Sequence, residues 1–358
     1  MPTPLDDQLL ENAIEQTLPM LTQLLNTPSP TGYTREAIRF CRESFTALDL
    51  PLSIFETRKG ALMMPLKGKS AQVHRAVTAH VDTLGAMVKD VKPSGRLKFA
   101  MLGGSPWTAV EYEGVTVRTA KDERIRGTIV PVNGSTHVNK DAATMPRNEN
   151  TLEIRLDART RSGAETVALG IAPGDFIFFD PRVELGEAGF IRSRHLDDKL
   201  CVAAIYAALI ALKDGGLIGQ IAYDTLLNIS NYEEVGHGGR ADWPDEMDEL
   251  LVVDMAAMGD GQWSDEFSVT LCIRDSGGPY SFEMNENLRR LAAEAGIPLK
   301  TDLYPNYSSD GTAYWGAGGA ARVALIGMGV DSSHGYERSH RDGLKHTTHL
   351  IAQYLLGE

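Results

Sequence analysis

The sequence predicts an α/β fold in which a mixed central sheet, flanked by helices, is interrupted by an inserted all-β domain. Three observations carry this expectation. Apolar residues at helical spacing alternate with short β-type runs at the two ends of the chain. Between roughly Met87 and Val183 that rhythm gives way to many short strand candidates separated by Gly, Pro, Asn and Asp clusters. The alternation then resumes near Gly189. The expected division is residues 1–86 and 188–358 for the α/β part and 87–187 for the insertion. A chain of 358 residues exceeds the usual size of one domain, which agrees with a large unit carrying a smaller one.

The elements follow in order. Leu10, Ile14, Leu18, Leu21 and Leu25 predict a helix from Asp7 to about Asn26, ended by Pro28-Ser-Pro-Thr-Gly32. A second helix is expected over Thr34 to Leu48, then strands over Leu52 to Glu56, Ala61 to Leu66 and Arg75 to Val81. The insertion offers strands at Val115 to Arg118, Arg126 to Val132, Thr151 to Leu156 and Asp175 to Phe179. A helix from about Asp198 to Leu212 carries Ala203, Ala204, Ala207, Ala208 and Ala211, small residues that permit close packing. Strands at Thr225 to Ser230, Glu249 to Asp254, Ser268 to Ile273 and Arg322 to Ile326 then alternate with helices at about Glu283 to Ala295 and Asp342 to Leu356.

Composition excludes several classes of function. With 35 basic against 48 acidic residues the net charge is −13, which argues against nucleic-acid backbones and anionic membrane surfaces as partners. Three cysteines, Cys41, Cys201 and Cys272, are widely spaced and predict neither a disulfide framework nor a thiolate metal site. No stretch has the length of apolar residues that a membrane span requires, and the first residues lack the pattern of a secretory signal. A cytoplasmic protein without membrane partners is expected.

The chemistry gathers at predicted strand ends, where open α/β sheets bind ligands. His80-Val-Asp82 ends one strand, with both side chains expected on one face so that Asp82 can orient His80. Asp197-Asp198 precedes a helix, as a cap, as a carboxylate bridging two metals, or as both. Glu233-Glu234 follows an apolar strand and precedes the glycine-rich turn Val235-Gly-His-Gly-Gly239. Asp254 ends a buried strand, either as a turn former or as a ligand, and His334 follows the strand that ends near Gly329. Each motif alone also has an ordinary structural reading. Together, two imidazoles and three carboxylates hold two divalent ions if one carboxylate bridges, and a further carboxylate beside them accepts a proton from water. His195, His237 and His340 lie near these residues in sequence and read as structural or substrate-side groups. Neither a phosphate-binding loop nor a serine nucleophile elbow is present.

With these motifs in this order the chain resembles the M42 family of metallo-aminopeptidases, the glutamyl and tetrahedral aminopeptidase group. The resemblance rests on His80-Val-Asp82, the β insertion, Gly170-Ile-Ala-Pro-Gly-Asp-Phe176, Leu196-Asp-Asp-Lys199, Glu233-Glu-Val-Gly236, Asp254, and His334 followed by Glu337. It implies a zinc-peptidase-like catalytic domain with a barrel-like insertion that makes dimer contacts, and dimers that build twelve-subunit shells. It implies further that His80, Asp197 and Asp254 bind one ion and Asp197, Glu234 and His334 the other. Asp82 would orient His80, and Glu233 would act as general base and then acid while a metal-bridging hydroxide attacks the peptide carbonyl beside a free N-terminus. Mixed nitrogen and oxygen donors suit zinc, and also cobalt or manganese. His237 and the segment Ser308-Ser-Asp-Gly-Thr-Ala313 depart from the family pattern and are expected, with Asp310 and Glu337, on the substrate side. Arg192, Arg194 and Arg338 would favour acidic substrates if they faced the pocket.

Three alternatives are open at this stage. A carboxypeptidase or deacylase of the related M20 group has an α/β lid domain, whereas the insertion here reads as all-β. An endoglucanase needs two carboxylates free to act across a sugar bond, and the pattern commits most of these acids to metal. A peptide-binding protein without turnover would be marked by loss of Glu233 or of a ligand, and all are present.

Overall fold

In the computed structural model, which describes residues 5–357, the central sheet has ten strands. Its heart is four parallel neighbours in the order Tyr223–Ser230, Ser70–His80, Glu249–Val253 and Arg322–Val330. Antiparallel strands flank them, Leu62–Leu66 beside the first and Val269–Asp275 beside the last, so the sheet is mixed. Period-two alternation builds a core on each face. Val77, Leu251, Val253, Ala324 and Ile326 point into the larger one, while Ala76, Leu250, Val252, Val323 and Leu325 point into the smaller one.

The helix Leu196–Asp214 is apolar on nearly every side and lies in the larger core between Asp7–Asn26 and Arg341–Leu356. A helix hydrophobic all round is stable only when covered on all sides. The buried Lys199 at its start reaches the end of the first helix, where its Nζ donates to Leu24 O at 3.0 Å and Thr27 O at 2.7 Å. That bond satisfies carbonyls which a helix C-terminus otherwise leaves open.

The inserted segment folds as a closed antiparallel barrel in the order Gly85–Val91, Leu97–Leu102, Leu152–Leu156, Arg124–Pro131, Gly114–Arg118 and Phe176–Phe179. Val88, Phe99, Val115, Ile129, Ile154 and Ile177 fill it. Several elements differ at their edges from expectation. Only Phe55–Glu56 pairs within the stretch from Leu52, because Leu52 and Ile54 pack on the core without a partner strand. The strand ending at His80 extends back to Ser70, and its first five residues are exposed or half exposed. Among the described residues no helix is long and apolar enough to cross a membrane, and the three cysteines are free and buried.

Candidate metal centre

The four parallel strands deliver the chemistry to one edge. His80 is the last residue of its strand, Asp254 follows Val253, Glu233 and Glu234 form a 3-10 turn beyond Ser230, and His334 lies in the turn beyond Val330. Asp197 comes from the helix behind them. Its backbone and that of Asp198 leave helical geometry, and the peptide bond between them is cis.

These groups meet. His80 Nε2 lies 3.1 Å from Asp197 Oδ1 and 3.7 Å from Glu233 Oε2. His334 Nε2 lies 3.6 Å from both Asp197 Oδ2 and Glu234 Oε2. Donor atoms of His80, Asp197 and Asp254 lie within 4.8 Å of one another, and so do those of Asp197, Glu234 and His334. Asp197 belongs to both sets and offers a different oxygen to each imidazole.

Surrounding groups fix the orientation of these ligands. His80 Nδ1 meets the main-chain oxygen of Asp82 at 2.9 Å, and His334 Nδ1 meets Gly104 O at 3.3 Å, so each ring donates from Nδ1 and turns Nε2 toward the centre. The sequence suggests that the Asp82 carboxylate orients His80, but it stands 3.6 Å from the ring. It accepts instead from the backbone N–H groups of Glu233 at 3.1 Å and Glu234 at 3.3 Å. Asp82 lies beyond the strand, in the turn, so the period-two argument does not reach it. Asp198 Oδ2 accepts from His80 N at 3.1 Å and Ser333 Oγ donates to Asp197 at 3.3 Å.

Charge balance supports a metal. Two imidazoles face Asp197, Glu233, Glu234 and Asp254, and among the described residues no Lys or Arg lines the cavity. Burial, and then repulsion from Asp254, Asp310 and Glu234, holds the Glu233 carboxyl well above its ordinary range. Burial with the neighbouring Asp197 raises Asp254 to about 7. For His80, burial opposes charge, yet Asp197 and Asp82 pull the imidazole well above its usual value. Carboxylates crowded in this way are relieved by divalent cations, and the nitrogen and oxygen donors fit them. A dication entering the metal-free protein must displace the proton that Asp254 keeps up to about pH 7. Metal uptake is therefore expected to strengthen as pH rises through neutrality and to weaken about tenfold per unit below it for each proton displaced. Competition with a chromophoric chelator between pH 5.5 and 8 measures this, and a flat profile would contradict it.

A cavity of about 570 Å³ opens over the centre. Of the groups expected on the substrate side, Ser308 at the start of the segment to Ala313 lines it, whereas His237, Asp310 and Glu337 do not. His237 is exposed and stacks on Tyr232 at 5.0 Å, because left-handed Tyr232 (φ 63) and Gly236 (φ 75) turn the chain away. Asp310 is buried behind the sheet edge and accepts from Ser230 Oγ. Gly239 packs on its backbone so closely that a Cβ there would overlap the Asp310 carbonyl. Glu337 stands behind the ligands, where it accepts from Asp197 N and His334 N, each at 3.0 Å, and so positions both. Arg192, Arg194 and Arg338 are committed to Glu184, Glu113 and Glu266 and also stay outside the cavity. Sequence reasoning missed the wall built from Met255, Met258, Tyr304 and Tyr307. Its one signal was that Met255 directly follows Asp254 on a strand end.

Comparison with known proteins agrees with this geometry. Residues 60–350 match the family described as M42 glutamyl aminopeptidase. YhfE of Bacillus subtilis (strain 168), whose name assigns it provisionally to the aminopeptidases, is 41% identical over 343 residues, 96% of this chain and 98% of its own. Among solved structures, a TET aminopeptidase from the marine sediment archaeon Thaumarchaeota archaeon SCGC AB-539-E09 superposes with a TM-score of 0.84 at 18% identity, covering 95% of this chain and 96% of that one. The TET1 peptidase of Pyrococcus horikoshii, which can assemble into a tetrahedron or a large octahedral shell, gives 0.81 at 19% identity over 96% and 100%.

Proposed function

Because the chain belongs to the M42 glutamyl aminopeptidase family, and is therefore a metal-dependent peptide hydrolase, we propose that it removes N-terminal residues from short peptides at a dinuclear centre. The observation that carries the proposal is the pair of donor sets sharing Asp197. His80, Asp197 and Asp254 would hold one divalent ion, zinc in the first instance with cobalt or manganese compatible, and Asp197, Glu234 and His334 would hold the second. Such ions supply a Lewis acid for the peptide carbonyl and lower the pKa of water.

The remaining work falls to the chain. Glu233 belongs to neither donor set, faces the cavity and lies 3.7 Å from His80 Nε2, so its carboxylate is free to take the proton of the attacking water. Burial raises its proton affinity, which suits it to keep that proton and deliver it to the departing amine. Asp82 fixes the backbone of Glu233 and Glu234 together, so acid and ligand keep their separation. The insertion is a closed antiparallel barrel whose α-helical content among the described residues is the short Gly163–Ala168, which favours the aminopeptidase over a carboxypeptidase or deacylase.

We extend the division into a catalytic unit, residues 1–86 and 188–358, and a dimerisation unit, 87–187, to this protein. A homodimer, and from it a homododecamer, is supported by the shells of the structurally similar TET peptidases, and a cytoplasmic site by the buried free cysteines. The test is a mixed peptide library treated with metal-reconstituted protein, each peptide with a free and an N-acetylated terminus, read by mass spectrometry. Stepwise loss from free termini alone is the expected result. Cleavage of acetylated peptides, or from the C-terminus, would replace this reading with the deacylase or carboxypeptidase.

A further inference from the structure

The cavity is asymmetric about the metal centre. Toward His334 its rim is exposed, at Pro106 and Gly236. Beside Asp254 its wall is Met255 and Tyr304, each only 2% exposed, with half-buried Ala257, Met258 and Tyr307, while Pro305, Asn306 and Ser308 form an exposed rim above them. A peptide cut after its first residue needs a blind recess for that residue and an open path for the rest. The buried apolar wall beside Asp254 is the surface available to that residue.

The recess offers carbon. Tyr307 donates its hydroxyl to Met255 O at 3.0 Å, and the Tyr304 hydroxyl is paired with Ser264 Oγ at 2.6 Å, so both phenols are tied up. Their rings stand 5.3 Å apart and turn apolar surface to the space between them and the methionines. The polar neighbours are uncharged, and Gln262 donates its amide to Leu303 O at 3.0 Å. Among the described residues, the acids that line the cavity are the four carboxylates of the metal centre, and His334 is the imidazole beside them. A glutamate side chain would find no Lys or Arg there to pair with. A lysine would find carboxylates only where the metals require them. Burying either charge without a partner costs far more than the contacts return. Methionine, by contrast, adapts its shape to varied apolar side chains.

We propose that the enzyme selects peptides whose N-terminal residue is uncharged and apolar, of the leucine, methionine or phenylalanine kind, and that Met255, Met258, Tyr304 and Tyr307 impose this choice. The proposal rests on the aminopeptidase reading above and adds the substrate class. It also separates this chain from the acidic preference carried in the description of its family.

The experiment uses the metal-reconstituted protein and the peptides X-Ala-Ala, with X as Leu, Met, Phe, Glu and Lys. The expected kcat/KM for the three apolar residues exceeds that for Glu and Lys by about 100-fold or more. Equal rates, or a preference for Glu or Lys, would overturn the substrate class while leaving the aminopeptidase intact. Failure to cleave any free peptide would overturn the aminopeptidase reading and this proposal with it. A second readout needs no turnover: calorimetry on Glu233→Gln is expected to show leucinamide binding at least about tenfold tighter than glutamic acid α-amide, and the reverse order would overturn the proposal. Met258→Arg is expected to raise the Glu to Leu ratio of kcat/KM by about tenfold or more, since it brings a cation to the recess. An unchanged ratio in a folded, metal-loaded variant would remove Met258 from the selecting wall. The wild-type panel decides the substrate class without depending on that variant.

Discussion

Glu233→Gln is expected to lower kcat by about 10²- to 10⁴-fold while the protein keeps its full metal content. The amide has the same shape and keeps the backbone bond to Asp82, but it has no basic oxygen to receive a proton. Neither donor set includes Glu233, so metal analysis should match wild type. KM should change little, because the change removes proton transfer and leaves the recess as it was. The matched change Glu234→Gln provides the contrast, since Glu234 belongs to the set with Asp197 and His334 and its loss should release metal. A Glu233→Gln protein that keeps wild-type kcat would remove this residue from the mechanism.

Asp197→Asn is the second change with a large expected effect. Asp197 gives one oxygen toward His80 and the other toward His334, and it belongs to both donor sets. Neutralising it should weaken both ions at once and lower activity on the order of 10³- to 10⁴-fold, the loss of several kcal/mol of Lewis-acid stabilisation. Asp254→Asn touches one set alone, and about half the metal should remain. Plasma emission spectroscopy after gel filtration distinguishes the two variants. Full occupancy in Asp197→Asn would refute a shared ligand.

The residues brought together at this centre were legible because buried strands are easy to read and because open sheets place chemistry at strand ends. His80, Asp254 and the Glu233-Glu234 pair each close an apolar run, and the run marks them. Directions of side chains were less legible. His237 looks like a substrate ligand by adjacency, yet two left-handed residues rotate it to the surface, and nothing in the residue types announces that rotation. Glu337 reads as a substrate group, but a buried carboxylate accepts whatever N–H groups lie nearest, and those belong to Asp197 and His334. Two barrel strands, Gly85–Val91 and Leu97–Leu102, escaped notice because a register shift between Val88 and Asp90 breaks the alternation of the first and the run Phe99-Ala-Met-Leu102 hides that of the second. Beyond Met255, which its place after Asp254 marks, the cavity wall was not legible, since Met255 and Tyr304 come from separate strand ends and only the sheet order brings them together.

The carbonyl that orients His334 belongs to Gly104, in the loop after the barrel strand Leu97–Leu102. The barrel therefore is not cargo carried by a self-sufficient hydrolase. Shedding it, or exchanging it for an unrelated module, would leave one imidazole without the contact that chooses its tautomer, even if every ligand stayed in place. Gene fusions and truncations across this boundary face that constraint.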